Sequence, residues 1–233
     1  MRPLPIMAVG VVLLTASAQA VVSCGTRIST VTEHNTYTIT EPVTSLKIDN
    51  PVGNTQIEGT DATTVSVIEQ LRYTGNPPQT RYPITGSQLA LSYTCPGVFD
   101  VNTCSVTYLV KVPRRLAIQI DNKVGATTLT GLAGQLTLTS STGNIDATGL
   151  ISDAVTARAS AGTITLEFTA PPTTVDAQAQ VGSVTVRLPA STGYAVDADS
   201  QVGTADVTVQ RDPGSAHRIR AHSQVGSVSV YNG

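Results

Sequence analysis

Val175-Asp176-Ala177-Gln178-Ala179-Gln180-Val181-Gly182-Ser183-Val184-Thr185-Val186 alternates apolar and polar residues on both sides of a single glycine. Alternation with period two makes a strand with one buried face, so this stretch predicts two short strands joined at Gly182. The same phrase recurs around Gly53, Gly125, Gly143, Gly162, Gly203 and Gly226. From Gly125 onward the glycines are 18 to 23 residues apart, the length of one coil in a parallel β-solenoid.

Aligning the seven phrases on their glycines fixes which residues face inward. Seven positions before the glycine stand Leu46, Ile118, Leu136, Val155, Val175, Val196 and Ile219, and five before it Ile48, Ile120, Leu138, Ala157, Ala177, Ala198 and Ala221. Three before it every residue is small or an amide, from Asn50 and Asn122 to Ser223. After the glycine, Thr55, Thr127, Ile145, Ile164, Val184, Ala205 and Val228 lie two positions on, and aliphatic residues lie four on. The expected fold is therefore all-β, a parallel β-solenoid of about seven two-stranded coils. At ~4.8 Å per coil the stack is roughly 35 Å long. The change from Ile and Leu to Ala five before the glycine predicts a core that narrows toward the C-terminus.

A glycine at these turns supplies positive φ and no side chain. Gln180-Val181-Gly182-Ser183, Gln201-Val202-Gly203-Thr204 and Gln224-Val225-Gly226-Ser227 nearly repeat one another. Their amides read either as a ligand-binding row or, preferred here, as a hydrogen-bonded ladder of turn side chains.

One interval breaks the period: Gly53 and Gly125 are 72 residues apart. Strand-like runs from Thr63 to Tyr73, Gln88 to Cys95 and Cys104 to Val112 fill it, punctuated by Pro77-Pro78 and Pro96-Gly97. They are expected to leave the solenoid as an antiparallel β-hairpin inserted at about 63–115. Tyr73, Tyr82, Tyr93, Phe99 and Tyr108 would pack that hairpin against the flank of the stack.

Residues 1–23 read as an export signal, with Arg2 followed by an apolar run from Ile6 to Leu14 too short to span a bilayer. Ala18-Gln19-Ala20 fits ordinary signal-peptidase cleavage after Ala20. Val21-Val22-Ser23-Cys24 resembles the lipobox of bacterial lipoproteins, in which the cysteine is lipidated. The chain has three cysteines, and Cys95 and Cys104 sit at facing ends of neighbouring strands, where an oxidising compartment would join them. Cys24 is then the odd thiol, which favours lipidation, with residues 24–36 as a tether and 37–233 as the solenoid domain. The expected location is extracytoplasmic, anchored through Cys24 or released after Ala20.

Charge and chemistry narrow the function. Removing Arg2 with the signal leaves 13 Lys and Arg against 16 Asp and Glu, a dispersed negative balance that argues against nucleic acid as a partner. Asp176, Asp197 and Arg220 share one offset, as do Asp49 and Asp121, and Glu167 and Arg187. Two stacked carboxylates ~5 Å apart have the spacing of a retaining glycosidase. The bland reading of each row, a solvated face or a surface ion pair, is preferred. His34, His217 and His222 have no ligand-spaced Cys or carboxylate around them, and no nucleophile elbow or phosphate-cradling loop occurs. The sequence predicts no enzyme, no cofactor and no metal site.

With repeats and insert laid out, the chain resembles the DUF4097 family of bacterial β-strand-repeat proteins, labelled as adhesins. The likeness rests on Leu46-Lys47-Ile48-Asp49-Asn50-Pro51-Val52-Gly53, Tyr108-Leu109-Val110-Lys111-Val112-Pro113 and Leu138-Thr139-Ser140-Ser141-Thr142-Gly143-Asn144-Ile145-Asp146-Ala147-Thr148-Gly149. It implies a surface role in binding protein or glycan and brings no catalytic residues. Two other functions follow from the residues themselves. A self-associating module would pair through the open C-terminal coil at Val230-Tyr231-Asn232-Gly233, and a polysaccharide-active enzyme would use Asp176 and Asp197.

Overall fold

The computed structural model describes residues 29–96 and 103–233. Its strands in chain order are β1 (Val31–Ile39), β2 (Ser45–Val52), β3 (Thr55–Thr60), β4 (Val65–Tyr73), β5 (Gln79–Arg81), β6 (Ile84–Thr85), β7 (Gln88–Thr94) and β8 (Cys104–Pro113). Then come β9 (Ala117–Val124), β10 (Thr127–Thr130), β11 (Leu136–Thr142), β12 (Ile145–Leu150), β13 (Ala154–Ala161) and β14 (Ile164–Phe168). The chain continues through β15 (Thr174–Val181), β16 (Val184–Leu188), β17 (Ala195–Val202), β18 (Ala205–Val207), β19 (Arg218–Val225) and β20 (Val228–Asn232). No helix occurs among the described residues.

The strands form two mixed ten-stranded sheets, one ordered β1-β4-β8-β3-β10-β12-β14-β16-β20-β18 and the other β5-β7-β2-β9-β11-β13-β15-β19-β17, with β6 also on β7. Each glycine phrase contributes one strand to each sheet. Equal offsets pair in parallel: Leu46 with Ile118, Ile118 with Leu136, Leu136 with Val155, Val155 with Val175, Val175 with Ile219, and Ile219 with Val196. A slip of one residue would turn each aliphatic row to water, so burial holds the register. The inward rows of both sheets join in one core, each fully buried Val, Leu or Ile adding about 1.5–3 kcal/mol.

Spatial order departs from chain order at the C-terminal end. The last unit, β19/β20, lies between β15/β16 and β17/β18, hydrogen-bonded on both sides. The expected open end at β20 is therefore covered by β18 over Val228–Val230, and only Tyr231–Gly233 extend past it. The unpaired edges belong to β17 and β18, whose Val196, Ala198 and Val207 are only partly buried, whereas Ile219, Ala221 and Val230 are buried.

The insert also differs from expectation. β4 and β8 do pair antiparallel, yet β7 and β8 run parallel to β2 and β3 and continue the two sheets as a further unit. Their Leu89, Leu91, Tyr93, Val106, Tyr108, Val110 and Val112 are buried. A projecting hairpin would have left these residues and the apolar end of the Gly53 unit in water, which the hydrophobic effect opposes. Residues 31–36, read as tether, belong to β1, which pairs antiparallel with β4. Their side chains are mostly exposed, so the strand lacks the alternation that would betray it. The export signal, Cys24 and Phe99 lie outside the described residues.

Candidate functional site

The turn glycines form a column along one edge of the stack. A Cβ at Gly143 would stand 2.0 Å from the carbonyl oxygen of Gly125, and one at Gly182 2.1 Å from that of Gly162. Both residues have φ near +140°, so glycine serves here for backbone conformation and for the close approach of the next turn. In five of the seven units the side chain three before the glycine donates to a turn carbonyl, the exceptions being Ala159 and Ala179. Asn50 Nδ2 donates to Gly53 O at 3.1 Å, Asn122 Nδ2 to Gly125 O at 3.1 Å, and Ser140 Oγ to Gly143 O at 3.0 Å. In the last units Ser223 Oγ donates to Gly182 O at 2.8 Å and Ser200 Oγ to Gly226 O at 2.6 Å, each reaching the neighbouring turn. The ladder expected of the glutamines is carried by these side chains, and by Asn54 and Asn144, whose Oδ1 atoms accept from Ala126 N and Thr163 N of the adjoining unit.

The outward charged rows are rearranged by the spatial order of the units. Arg220 stands between Asp176 and Asp197 in the sheet, so the two carboxylates are not neighbours. Asp197 Oδ2 lies 3.6 Å from Arg220 Nε and 3.3 Å from His222 Nε2, while Asp176 accepts from Arg158 at 2.8 Å and Gln178 at 2.7 Å. His222 is beside Asp199 in register, but its contact is with Asp197. Asp49 and Asp121 are neighbours, with Lys123 Nζ 2.9 Å from Asp121. Glu167 meets Arg187 at 3.2 Å, and that guanidinium lies over the Tyr231 ring at 5.5 Å. These are exposed surface pairs, screened by water and salt and contributing little to stability. Among the described residues no group of three or more His, Cys, Asp or Glu could hold a metal ion.

Three shallow grooves mark the outer surface. One of about 420 Å³ runs beside the late turns past Arg158, Gln178, Gln180, Asp199, His222 and Gln224. A second, about 610 Å³, is lined by Asp176, Tyr194, Asp197, Arg211, Arg218 and Arg220 at the β17 end. The third, about 350 Å³, has Ile68 and Leu109 among Gln56, Glu58, Ser66 and Lys111 on β3, β4 and β8. The first groove also includes Ser223 beside Asp199 and His222, but His222 Nε2 contacts Asp197 and Arg220, and Ser223 Oγ donates to Gly182 O. A row of exposed valines, Val52, Val124, Val181, Val225 and Val202, follows the glycine column.

At the β1 end a polar cluster is built into the core. Glu69 is fully buried and accepts a 2.7 Å hydrogen bond from Tyr37 Oη, and its cross-strand neighbour Tyr108 is fully buried too. Tyr37 stacks on Tyr82 at 4.4 Å. Burial, and then the Glu69 carboxylate, push the Tyr37 and Tyr108 hydroxyls well above the usual tyrosine range. Tyr93 Oη donates to Val52 O at 2.6 Å and accepts from Val52 N at 2.9 Å, locking β7 onto β2. Nearby, Cys95 and Cys104 are joined in a disulfide across the β7–β8 connection, their Cα atoms 6.3 Å apart. Sequence reasoning joined Cys95 to Cys104 and named Tyr93 and Tyr108 as packing residues, though on a flanking hairpin and together with Tyr82, which is exposed; it missed Tyr37 and Glu69, whose polar signal within an alternating strand marks it only once its face is known.

No protein-family model matches the chain, and no curated protein is significantly similar to it. Solved structures share the fold. A “putative cell adhesion protein” from Clostridium sporogenes superposes with a TM-score of 0.52 at 16% identity, over 88% of this chain and all of that one. A “putative adhesin” from Bacteroides fragilis does so with a TM-score of 0.52 at 15% identity, over 89% of this chain and all of that one.

Proposed function

We propose that this chain is a non-enzymatic envelope protein of the DUF4097 type, a β-solenoid-like scaffold that presents its outer rows to a protein or glycan outside the cytoplasm. The observation that carries this reading is the outer surface itself: stacked, register-locked rows form extended grooves, and the carboxylates best placed for chemistry are held by Arg158, Arg220 and His222. The disulfide supports an oxidising compartment, and the fold is shared with two proteins described as adhesins. Anchoring by an acylated Cys24 is the preferred form, with release after Ala20 as the other.

Capture from envelope extracts and a glycan array test the binding role together. A specific partner in either supports it; none in both, at micromolar protein, overturns it. Mass spectrometry of the mature N-terminus separates an acylated Cys24 from a free Val21.

A further inference from the structure

We propose that the open end formed by β17 and β18 is a docking edge for an extended, basic polypeptide strand from another protein. This deepens the binding role proposed above and rests on it.

Three observations locate the edge and its partner. First, every other glycine unit has neighbours on both sides, whereas β17 ends one sheet and β18 ends the other. Ala195 N donates to His217 O, toward β19. By alternation the amides of Ala195, Asp197 and Asp199 face β19, and those of Val196, Ala198 and Ser200 face outward along the open edge. Those outward groups form a ready template for one more strand. Second, the residues that are buried elsewhere in the stack are partly exposed here, as Val196, Ala198 and Val207 show, so an added strand would also cover apolar surface.

Third, the charge on this edge selects the occupant. β17 and β18 carry Asp197, Asp199 and Asp206, all exposed, and no Lys or Arg. Arg220 and His222 on β19 engage Asp197, and Asp199 and Asp206 have no ion pair among the described residues; Arg211, in the β18–β19 connection, bridges Tyr194 just before β17 and lines the groove that holds Asp197. A second copy pairing β17 antiparallel about Ala198 would set Asp197 against Asp199 twice, and like charges directly opposite are destabilising. A partner strand with Lys or Arg at positions k and k+2 places a cation opposite each carboxylate instead.

The test uses the full chain in detergent micelles and fluorescent ten-residue peptides: alternating Val-Lys, alternating Val-Glu, and the Val-Lys composition with its lysines clustered. Binding of the alternating basic peptide alone is expected. Asp199→Lys should weaken it about tenfold, since an attraction becomes a repulsion, and should not change the fold. Ala198→Pro removes an outward amide without touching the ladder to β19 and should abolish binding. Equal binding of the clustered peptide, or binding unchanged by both substitutions, would overturn the proposal, as would a dimer by light scattering that Ala198→Pro abolishes. A glycan that binds while the basic peptide does not would keep the general binding role and reject this edge.

Discussion

Replacing Gly143 by Ala tests whether the glycine column is required for packing between units as well as for backbone conformation. Two separable terms follow from the geometry. With φ at +140° an alanine is held in a sparsely populated region, costing about 1–3 kcal/mol. Its Cβ would also stand 2.0 Å from Gly125 O, about 1.4 Å short of the 3.4 Å at which ordinary contact begins. Relieving that overlap separates two turns joined by Gly125 N donating to Thr142 O at 2.9 Å, and disturbs Gly143 N donating to Ala161 O at 2.9 Å. Losing one or two such bonds adds about 1–2 kcal/mol, for a total near 2–5 kcal/mol. Gly86 is the matched control. Its φ is +63° and nothing lies within 4 Å of an added Cβ, so Gly86→Ala should cost only the left-handed term, about 1–2 kcal/mol. Urea unfolding followed by circular dichroism reads both, provided the m-value is unchanged. Equal losses in the two variants would refute the packing role and leave conformation as the only reason for glycine.

Other perturbations report on separate parts of the stack. Asn122→Ala removes the bonds to Gly125 O at 3.1 Å and Thr127 Oγ1 at 3.2 Å inside the core and should cost about 1–3 kcal/mol by urea unfolding, with Asn122→Ser recovering part of it. Paired Cys95→Ser and Cys104→Ser substitutions open a loop with a sequence separation of 9 and should cost ~2.7 kcal/mol in thermal or urea unfolding under oxidising conditions; no loss would show that the link does not constrain the unfolded chain. Because Tyr37 and Tyr108 are raised in the folded state, the unfolded chain loses their protons first. Their contribution is intact below about pH 10 and should fall by ~1.4 kcal/mol per pH unit for each tyrosine above it, a slope that Tyr37→Phe should reduce. Arg220→Glu places three carboxylates side by side and should destabilise by about 1–2 kcal/mol, less in high salt.

Strands and register were legible because burial of one face imposes period two, and the glycine marks where each strand pair turns. The offsets that place Leu46 beside Ile118 and Glu167 beside Arg187 in the sequence are those of the sheets. Offset three before the glycine was visible as small or amide, but its donor role was not, since a carbonyl awaiting a donor exists only after the turns have stacked. β7 and β8 were legible as strands and illegible as a parallel unit, because no glycine phrase joins them and the disulfide-linked connection takes its place. β1 was missed for the opposite reason: its exposed Thr, Glu, His and Asn carry no hydrophobic period. The grooves depend on which outward rows become neighbours, and for the last two units the chain order misassigns that.

Why the last unit enters the stack ahead of the one before it can be argued from the two sequences. Either unit would fit either place, because both carry the same offsets. Inward, the Gly226 unit presents Ile219, Ala221, Val228 and Val230, and the Gly203 unit Val196, Ala198, Ala205 and Val207. The first set is larger by one methylene at Ile219 and two carbons at Val228. Covering it and leaving the smaller set at the open end stabilises the observed order by up to about 2 kcal/mol. Charge adds to this in the same direction. Chain order would set Asp176 against Asp197, whereas the observed order gives Arg220 an acid on each side, worth roughly 0.4–2 kcal/mol. Against these stands the longer return connection, residues 208–217, compared with 189–194 on the way out. Loop closure grows only with the logarithm of length, so the difference is below about 1 kcal/mol. Part of even that is offset, since Val209 and Tyr194 are buried where the two connections meet through the Tyr194–Arg211 bridge. The poorer apolar unit, with the acids on its strands, is thus the one left facing outward.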